Sequence, residues 1–194
     1  MIAYVKGDFI YKSPAVVHVD VNGLGYEVQI SLNTYLHIQS LSKGILYTFL
    51  HIKEDAHTLY GFFEVAEKEM FVQLIGISGV GASTARMMLS SMKPDEITRA
   101  ILQGNAKALE SIKGIGRKSA ERIILELRDK LGRQSLETNI SPMLNNTSEQ
   151  DALHALISLG IPRTAGEQAI RKVLSSSPIP EKVEDIIKQA LKTL

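Results

Sequence analysis

Cysteine is absent from the chain, which removes disulfides, thiolate nucleophiles and cysteine-based zinc sites, and is compatible with a reducing cytoplasm. Long apolar runs are absent too, since no uninterrupted stretch approaches the roughly 20 residues that a membrane-crossing helix needs. The segment Met1 to Asp8 lacks a basic stretch followed by an apolar core, so no signal peptide is expected. A soluble, cytoplasmic protein is the expectation. His18, His37, His51, His57 and His154 are scattered and form no credible zinc site, so no metal is expected. Gly116-Arg117-Lys118-Ser119 falls short of a P-loop, because an extra residue separates glycine from lysine and position 111 is serine. Neither glycine turn completes G-x-G-x-x-G, because Thr84 and Ser119 stand where the third glycine belongs. No cofactor, no catalytic centre and no ATP hydrolysis are expected.

A strong excess of one charge is also missing: the net charge is +1. That balance hides a gradient. Residues 1–64 carry net −2, residues 65–135 net +4 and residues 136–194 net −1. The positive charge is concentrated in the middle of the chain, as binding to a polyanion requires. Four surplus charges alone give weak, salt-sensitive affinity, so several subunits acting together are favoured.

That basic middle segment contains a repeat. Ile77-Ser78-Gly79-Val80-Gly81 with Ala85 returns as Ile112-Lys113-Gly114-Ile115-Gly116 with Ala120, each position shifted by 35, and Leu74 answers Leu109 at the same shift. Each copy reads as a short helix, a glycine hairpin and a second helix. Glycine suits a tight turn and permits close approach of a phosphate to the main chain. The unpaired N–H groups that open the second helix, with its dipole, favour an anion there. Lys113, Arg117, Lys118 and Arg122 crowd the second copy with cations. Packing alone would also explain glycines near helix ends. The in-register duplication and the adjacent cations favour DNA backbone.

Around this repeat the hydrophobic period changes. Up to residue 64 the chain alternates: Val17, Val19 and Val21 against His18 and Asp20, then Tyr26, Val28 and Ile30 against Glu27 and Gln29. Asn22-Gly23-Leu24-Gly25 supplies the turn between these runs. With strands over Ile2–Tyr11, Ile45–Lys53 and Thr58–Phe62, and a helical link over Leu32–Gln39, this predicts a five-stranded barrel of the oligonucleotide-binding (OB) type, with a small open sandwich as the alternative. Residues 65–131 are helical in period: Val65–Ile75, Ala82–Ser91, a third helix opened by Pro94-Asp95-Glu96, a fourth capped by Asn105, and Arg117–Leu131. Residues 132–147 are polar and without aromatics, and read as a flexible linker. Three short helices follow over 148–194: Ser148–Gly160, Arg163–Leu174 and Glu181–Leu191. The expected fold class is α+β and multidomain: barrel, tandem helix-hairpin-helix domain, linker and a small three-helix domain that suits docking.

Two other classes stay open on residues alone. A helix-hairpin-helix glycosylase or nuclease would need a base pocket or clustered acids; Asp129 lies downstream of the second hairpin, but in a continuous helix. A protein-interaction scaffold would use the hairpins only for packing.

The layout closely resembles the bacterial RuvA family, the Holliday-junction recognition subunit of a branch-migration machine. The strings that carry the likeness are Lys53-Glu54-Asp55-Ala56 before Leu59-Tyr60-Gly61-Phe62, Gly79-Val80-Gly81, Gly114-Ile115-Gly116-Arg117-Lys118-Ser119-Ala120-Glu121-Arg122 and Ala155-Leu156-Ile157-Ser158-Leu159-Gly160. The resemblance implies a homotetramer, alone or as two tetramers sandwiching the DNA, that binds four-way junctions by shape. Backbone contacts fall to Gly79, Gly81, Ser83, Thr84, Gly114, Gly116, Arg117, Lys118 and Arg122. It makes Glu54 and Asp55 an acidic pin at the junction centre, where residues alone would suggest a solvated hairpin tip. It also implies that Leu156, Leu159 and Ile161 engage the hexameric ATPase RuvB, and that the resolvase RuvC joins the assembly. Two departures stand out: Ser83 replaces a frequent lysine after the first hairpin, and Ile161 a frequent tyrosine.

Overall fold

The computed structural model describes residues 1–139, 148–175 and 182–194. It contains two compact units, Met1–Leu136 and Glu137–Leu194.

The first unit opens with five strands, β1 (Tyr4–Lys12), β2 (Val16–Val21), β3 (Leu24–Ile30), β4 (Lys43–Ile52) and β5 (His57–Phe62), closed into a barrel in the order β1-β2-β3-β5-β4. All neighbours are antiparallel except β3 and β5, which pair in parallel at Gln29–Tyr60 and Ile30–Gly61. The alternation seen in the sequence is what fills this barrel. Val17, Val19, Val28 and Ile30 are buried, while His18 and Glu27 face outward. The β2–β3 turn is tighter than expected. Val21 pairs with Leu24, so only Asn22 and Gly23 form the loop, both at positive φ (53° and 89°), as a two-residue hairpin requires. Gly61 is dictated by the parallel pairing: a Cβ there would stand 2.4 Å from Val28 Cγ1.

α1 (Leu32–Ile38) leaves the barrel capped by Ser31, whose Oγ accepts from Thr34 N at 3.0 Å. Five helices follow: α2 (Val65–Ile75), α3 (Ala82–Ser91), α4 (Pro94–Leu102), α5 (Ala106–Glu110) and α6 (Arg117–Asn139). Phe71 of α2 inserts among Phe49, Tyr60 and Phe62, with ring centroids 4.9 to 5.7 Å apart, joining strands and helices in one apolar mass. Asn105 caps α5 by accepting from Ala108 N at 3.2 Å.

α6 differs from the sequence reading. It passes Leu131 and ends at Asn139, so residues 132–139 of the segment read as linker are helical, and residues 140–147 lie outside the described residues. Arg133, Gln134, Leu136 and Glu137 are good helix formers, and extending a helix costs far less than starting one. A single Gly132, worth about 1 kcal/mol, does not stop it.

Polar contacts bind α1 to α2 and to α3. Both oxygens of buried Glu67 are engaged, Oε1 by the Ser31 hydroxyl and Oε2 by the Thr34 hydroxyl at 2.6 Å. Thr34 Oγ1 in turn accepts from Phe63 N at 3.0 Å. Burial pushes the Glu67 carboxyl above the usual range, and the two hydroxyls pull part of the way back. Asn33 donates to the carbonyls of Leu89 and Met92 at the end of α3.

The second unit carries α7 (Ser148–Ser158), α8 (Arg163–Leu174) and α9 (Val183–Thr193) around Ala152, Leu156, Ala169, Ile170, Val173, Ile186 and Ala190. α9 begins at Val183; Glu181, expected to start it, lies outside the described residues, as do Pro178 and Pro180.

A candidate nucleic-acid interface

The repeat in the sequence is a repeat of hydrogen bonds. In the first hairpin Ile77 N donates to Leu74 O, Val80 N to Ile77 O and Ala85 N to Gly81 O, at 3.1, 3.0 and 2.9 Å. In the second, Ile112 N donates to Leu109 O, Ile115 N to Ile112 O and Ala120 N to Gly116 O, at 3.2, 3.1 and 3.0 Å. The apolar members Leu74, Ile77, Val80 and Ala85 are buried, as are Leu109, Ile112, Ile115 and Ala120. The glycines between them are exposed. Burying the apolar positions pushes the turns out of the surface.

The four glycines serve two purposes. Gly79 and Gly114 have φ of 89° and 91°, a conformation that a side chain strains, so the turn itself needs them. Gly81 and Gly116 do not have positive φ, and a Cβ built on either meets nothing within 4 Å. The fold places no demand for glycine there. An approaching ligand would. No side chain caps α3, so no cap competes for its first N–H groups, and the helix dipole lies behind them.

Charge distinguishes the two turns. Lys113, Arg117 and Lys118 are exposed around the second. Arg117 Nε bonds Glu121 Oε1 at 2.8 Å, and this partner, aided by Glu110, raises the arginine's already high pKa. Such an exposed i,i+4 pair is weak and readily exchanged for a phosphate. Around the first turn Ser83 is exposed and Thr84 half-buried, and neither is charged. Arg86, one turn into α3, points at the barrel: its Nη1 donates to Gln29 Oε1 and to Ala15 O at 2.5 and 3.2 Å. Arg122 of α6 crosses to the other hairpin and donates from Nη1 to Ser78 O at 3.1 Å. Neither the engagement of Arg86 nor the reach of Arg122 is visible in the sequence. Both partners are remote in sequence, and no local pattern signals them.

Glu54 and Asp55 form the exposed tip of the β4–β5 hairpin, closed at its base by Lys53 N donating to Ala56 O at 2.9 Å. Asp129, the residue a glycosylase reading would need, lies within the continuous helix α6.

In the second unit the three residues expected to meet a partner separate. Leu156 is fully buried in the unit's own core, and Ile161 packs half-buried against that core. A Schellman motif is the cause. Gly160 takes φ 88°, Ile161 N donates to Leu156 O and Gly160 N to Ile157 O, which folds Ile161 back onto Leu156. Leu156, expected to meet a partner directly, thus sits inside the unit's own core. Leu159 remains 62% exposed beside Ile157, at 40%, a residue with no distinguishing mark in the sequence.

Comparison with known proteins agrees with this architecture. Residues 1–61 match the family described as RuvA N terminal domain, residues 71–129 the SAM-like helix-hairpin-helix tandem, and residues 148–194 the RuvA C-terminal domain. The chain is 45% identical over 197 residues to a protein of Cytophaga hutchinsonii, covering 99% of each, and 45% identical over 194 residues to one of Christiangramia forsetii, covering 100% of each. It is 41% identical over 201 residues to a Geobacter metallireducens protein, covering 100% of this chain and 99% of the relative. Each relative is named Holliday junction branch migration complex subunit RuvA.

Proposed function

The chain belongs to the RuvA family, and from that premise we propose how its parts divide the work. It is the junction-binding, non-catalytic subunit of the Holliday junction branch migration complex, whose ATPase is RuvB. Residues 65–131 grip the DNA, residues 1–64 form the oligomer and carry the acidic pin, and residues 148–194 engage the motor across the 132–147 connection. The observation that carries the DNA reading is the duplicated hairpin with its two glycines, Gly81 and Gly116, that the fold itself does not require.

Backbone N–H groups of both hairpins bond phosphate oxygens, and Arg117 and Lys118 add charge-assisted contacts. Contacts of this kind carry no base code, so the protein selects the branched shape. Four arms match a cyclic tetramer, one subunit per arm. In that tetramer the four Glu54-Asp55 tips converge at the crossover, repel phosphates and steer each strand into its own groove. Leu159 with Ile157, rather than Leu156, offers the apolar surface to RuvB, and Ile161 contributes by shaping the turn beneath it. RuvC joins at the same junction, in the cytoplasm.

A mobility-shift comparison of four-way and linear duplex DNA tests the reading. Preference for the junction is expected, and equal affinity for both would overturn it. Replacing the pin, Glu54→Gln with Asp55→Asn, is expected to preserve or raise junction affinity while altering RuvB-driven branch migration. A marked loss of affinity would count against repulsion.

A further inference from the structure

The first hairpin has no cation of its own. From Gly76 to Ala85 there is no lysine or arginine. The next cation along the chain, Arg86, is turned onto Gln29 and Ala15 of the barrel. Going backward, the nearest is Lys68, roughly two helical turns before Gly76. Yet a guanidinium does lie over this turn. Arg122, carried by α6 of the second hairpin, places Nη1 3.1 Å from Ser78 O and 3.9 Å from where a Cβ on Gly79 would stand. Its Nε faces Glu126 Oε1 at 3.9 Å, and the side chain remains 53% exposed.

Resting on the DNA reading above, we propose that Arg122 is the cation of the first hairpin, supplied from the second. A guanidinium has five N–H donors in a rigid fork, so a bond to Ser78 O leaves others for a phosphate seated on the first turn. The bond also fixes where the charge sits, at the apex of a turn whose own side chains are neutral. The two hairpins then form one phosphate-binding unit with α6 between them, and the spacing of the two grips is set by a single residue. Ser83, at the start of α3, is the position from which a local cation would do the same work.

This predicts non-additivity. Junction affinity and its salt dependence are measured by fluorescence anisotropy for the full chain, for Arg122→Gln, for Ser83→Lys and for the double variant. Arg122→Gln is expected to weaken binding roughly tenfold and to flatten log K against log salt by about one contact per bound subunit. Ser83→Lys is expected to restore both in the Arg122→Gln background, to add much less in the wild-type background, and to rescue Arg117→Ala with Lys118→Ala only weakly. A brace with no phosphate role would lower affinity without changing the salt slope. An unchanged slope, or equal gains from Ser83→Lys in both backgrounds, would overturn the proposal. Should Arg122→Gln fail to fold, Arg122→Lys decides: a retained slope supports the proposal and a flattened one overturns it. Failure of the wild-type chain to bind the junction would instead defeat the underlying DNA reading, and this inference with it.

Discussion

The two hairpins have the same backbone and different surroundings. Their three hydrogen bonds, their buried apolar positions and their positive-φ glycines coincide at the 35-residue shift. The first is tied to the barrel through Arg86 and to α1 through Leu89 and Glu67, and its turn has no charged side chain of its own. Among the described residues the second has no such anchor in its turn, and it carries Lys113, Arg117 and Lys118 in solvent. Geometry was duplicated and chemistry was divided. One hairpin is tied by side-chain hydrogen bonds to the elements before it, and the other carries most of the exposed positive charge.

The shared geometry is tested first, because its effect is largest. Gly79→Val and Gly114→Val each force a β-branched side chain into positive φ and are expected to lower stability by about 2–3 kcal/mol. Denaturant unfolding should give similar losses for the two, and a large inequality would break the equivalence of the turns. The divided chemistry is tested next. Arg86→Ala leaves Gln29 and Ala15 O without their donor and is expected to lower stability by about 1–2 kcal/mol with no change in salt slope. Arg117→Ala with Lys118→Ala is expected to do the reverse, with unfolding within about 0.5 kcal/mol of wild type and a clearly flatter salt dependence. If both variants behave alike, the division fails.

A smaller effect reports on the anchor. Glu67 has a raised carboxyl pKa in the folded chain, so between its unfolded and folded values the native state holds more protons than the unfolded one. Stability contributed at this site therefore falls as pH rises through that window. Glu67→Gln cannot titrate, so the wild-type melting temperature relative to this variant should decline from about pH 4.5 upward. A difference that is flat or grows with pH would contradict a buried, proton-retaining Glu67.

Local pattern made much of this legible. Alternation at Val17, Val19, Val28 and Ile30 announces strands that fill a barrel, and Asn22-Gly23 announces their turn. The 35-residue shift announces the hairpins, because the same apolar residues must be buried each time for the same turn to protrude. What escaped depends on partners distant in sequence. Glu67 reads as a solvent-facing residue of α2 until Ser31 and Thr34 are brought over it. Arg86 and Arg122 look equivalent as cations, and only the tertiary fold sends one to the barrel and the other to the neighbouring turn. Leu156 and Ile161 suit a partner surface until the Gly160 turn closes them onto each other's core. The helical run to Asn139 was hidden by its polar composition.

On the DNA reading, Gly81 and Gly116 are glycine for the sake of a ligand. Gly81→Ser with Gly116→Ser tests it most directly, since serine is a favoured N-cap whose oxygen takes the very N–H groups a phosphate would use. Thermal stability should be unchanged or slightly higher, while junction affinity falls by roughly tenfold or more. Wild-type affinity at wild-type stability would contradict the account.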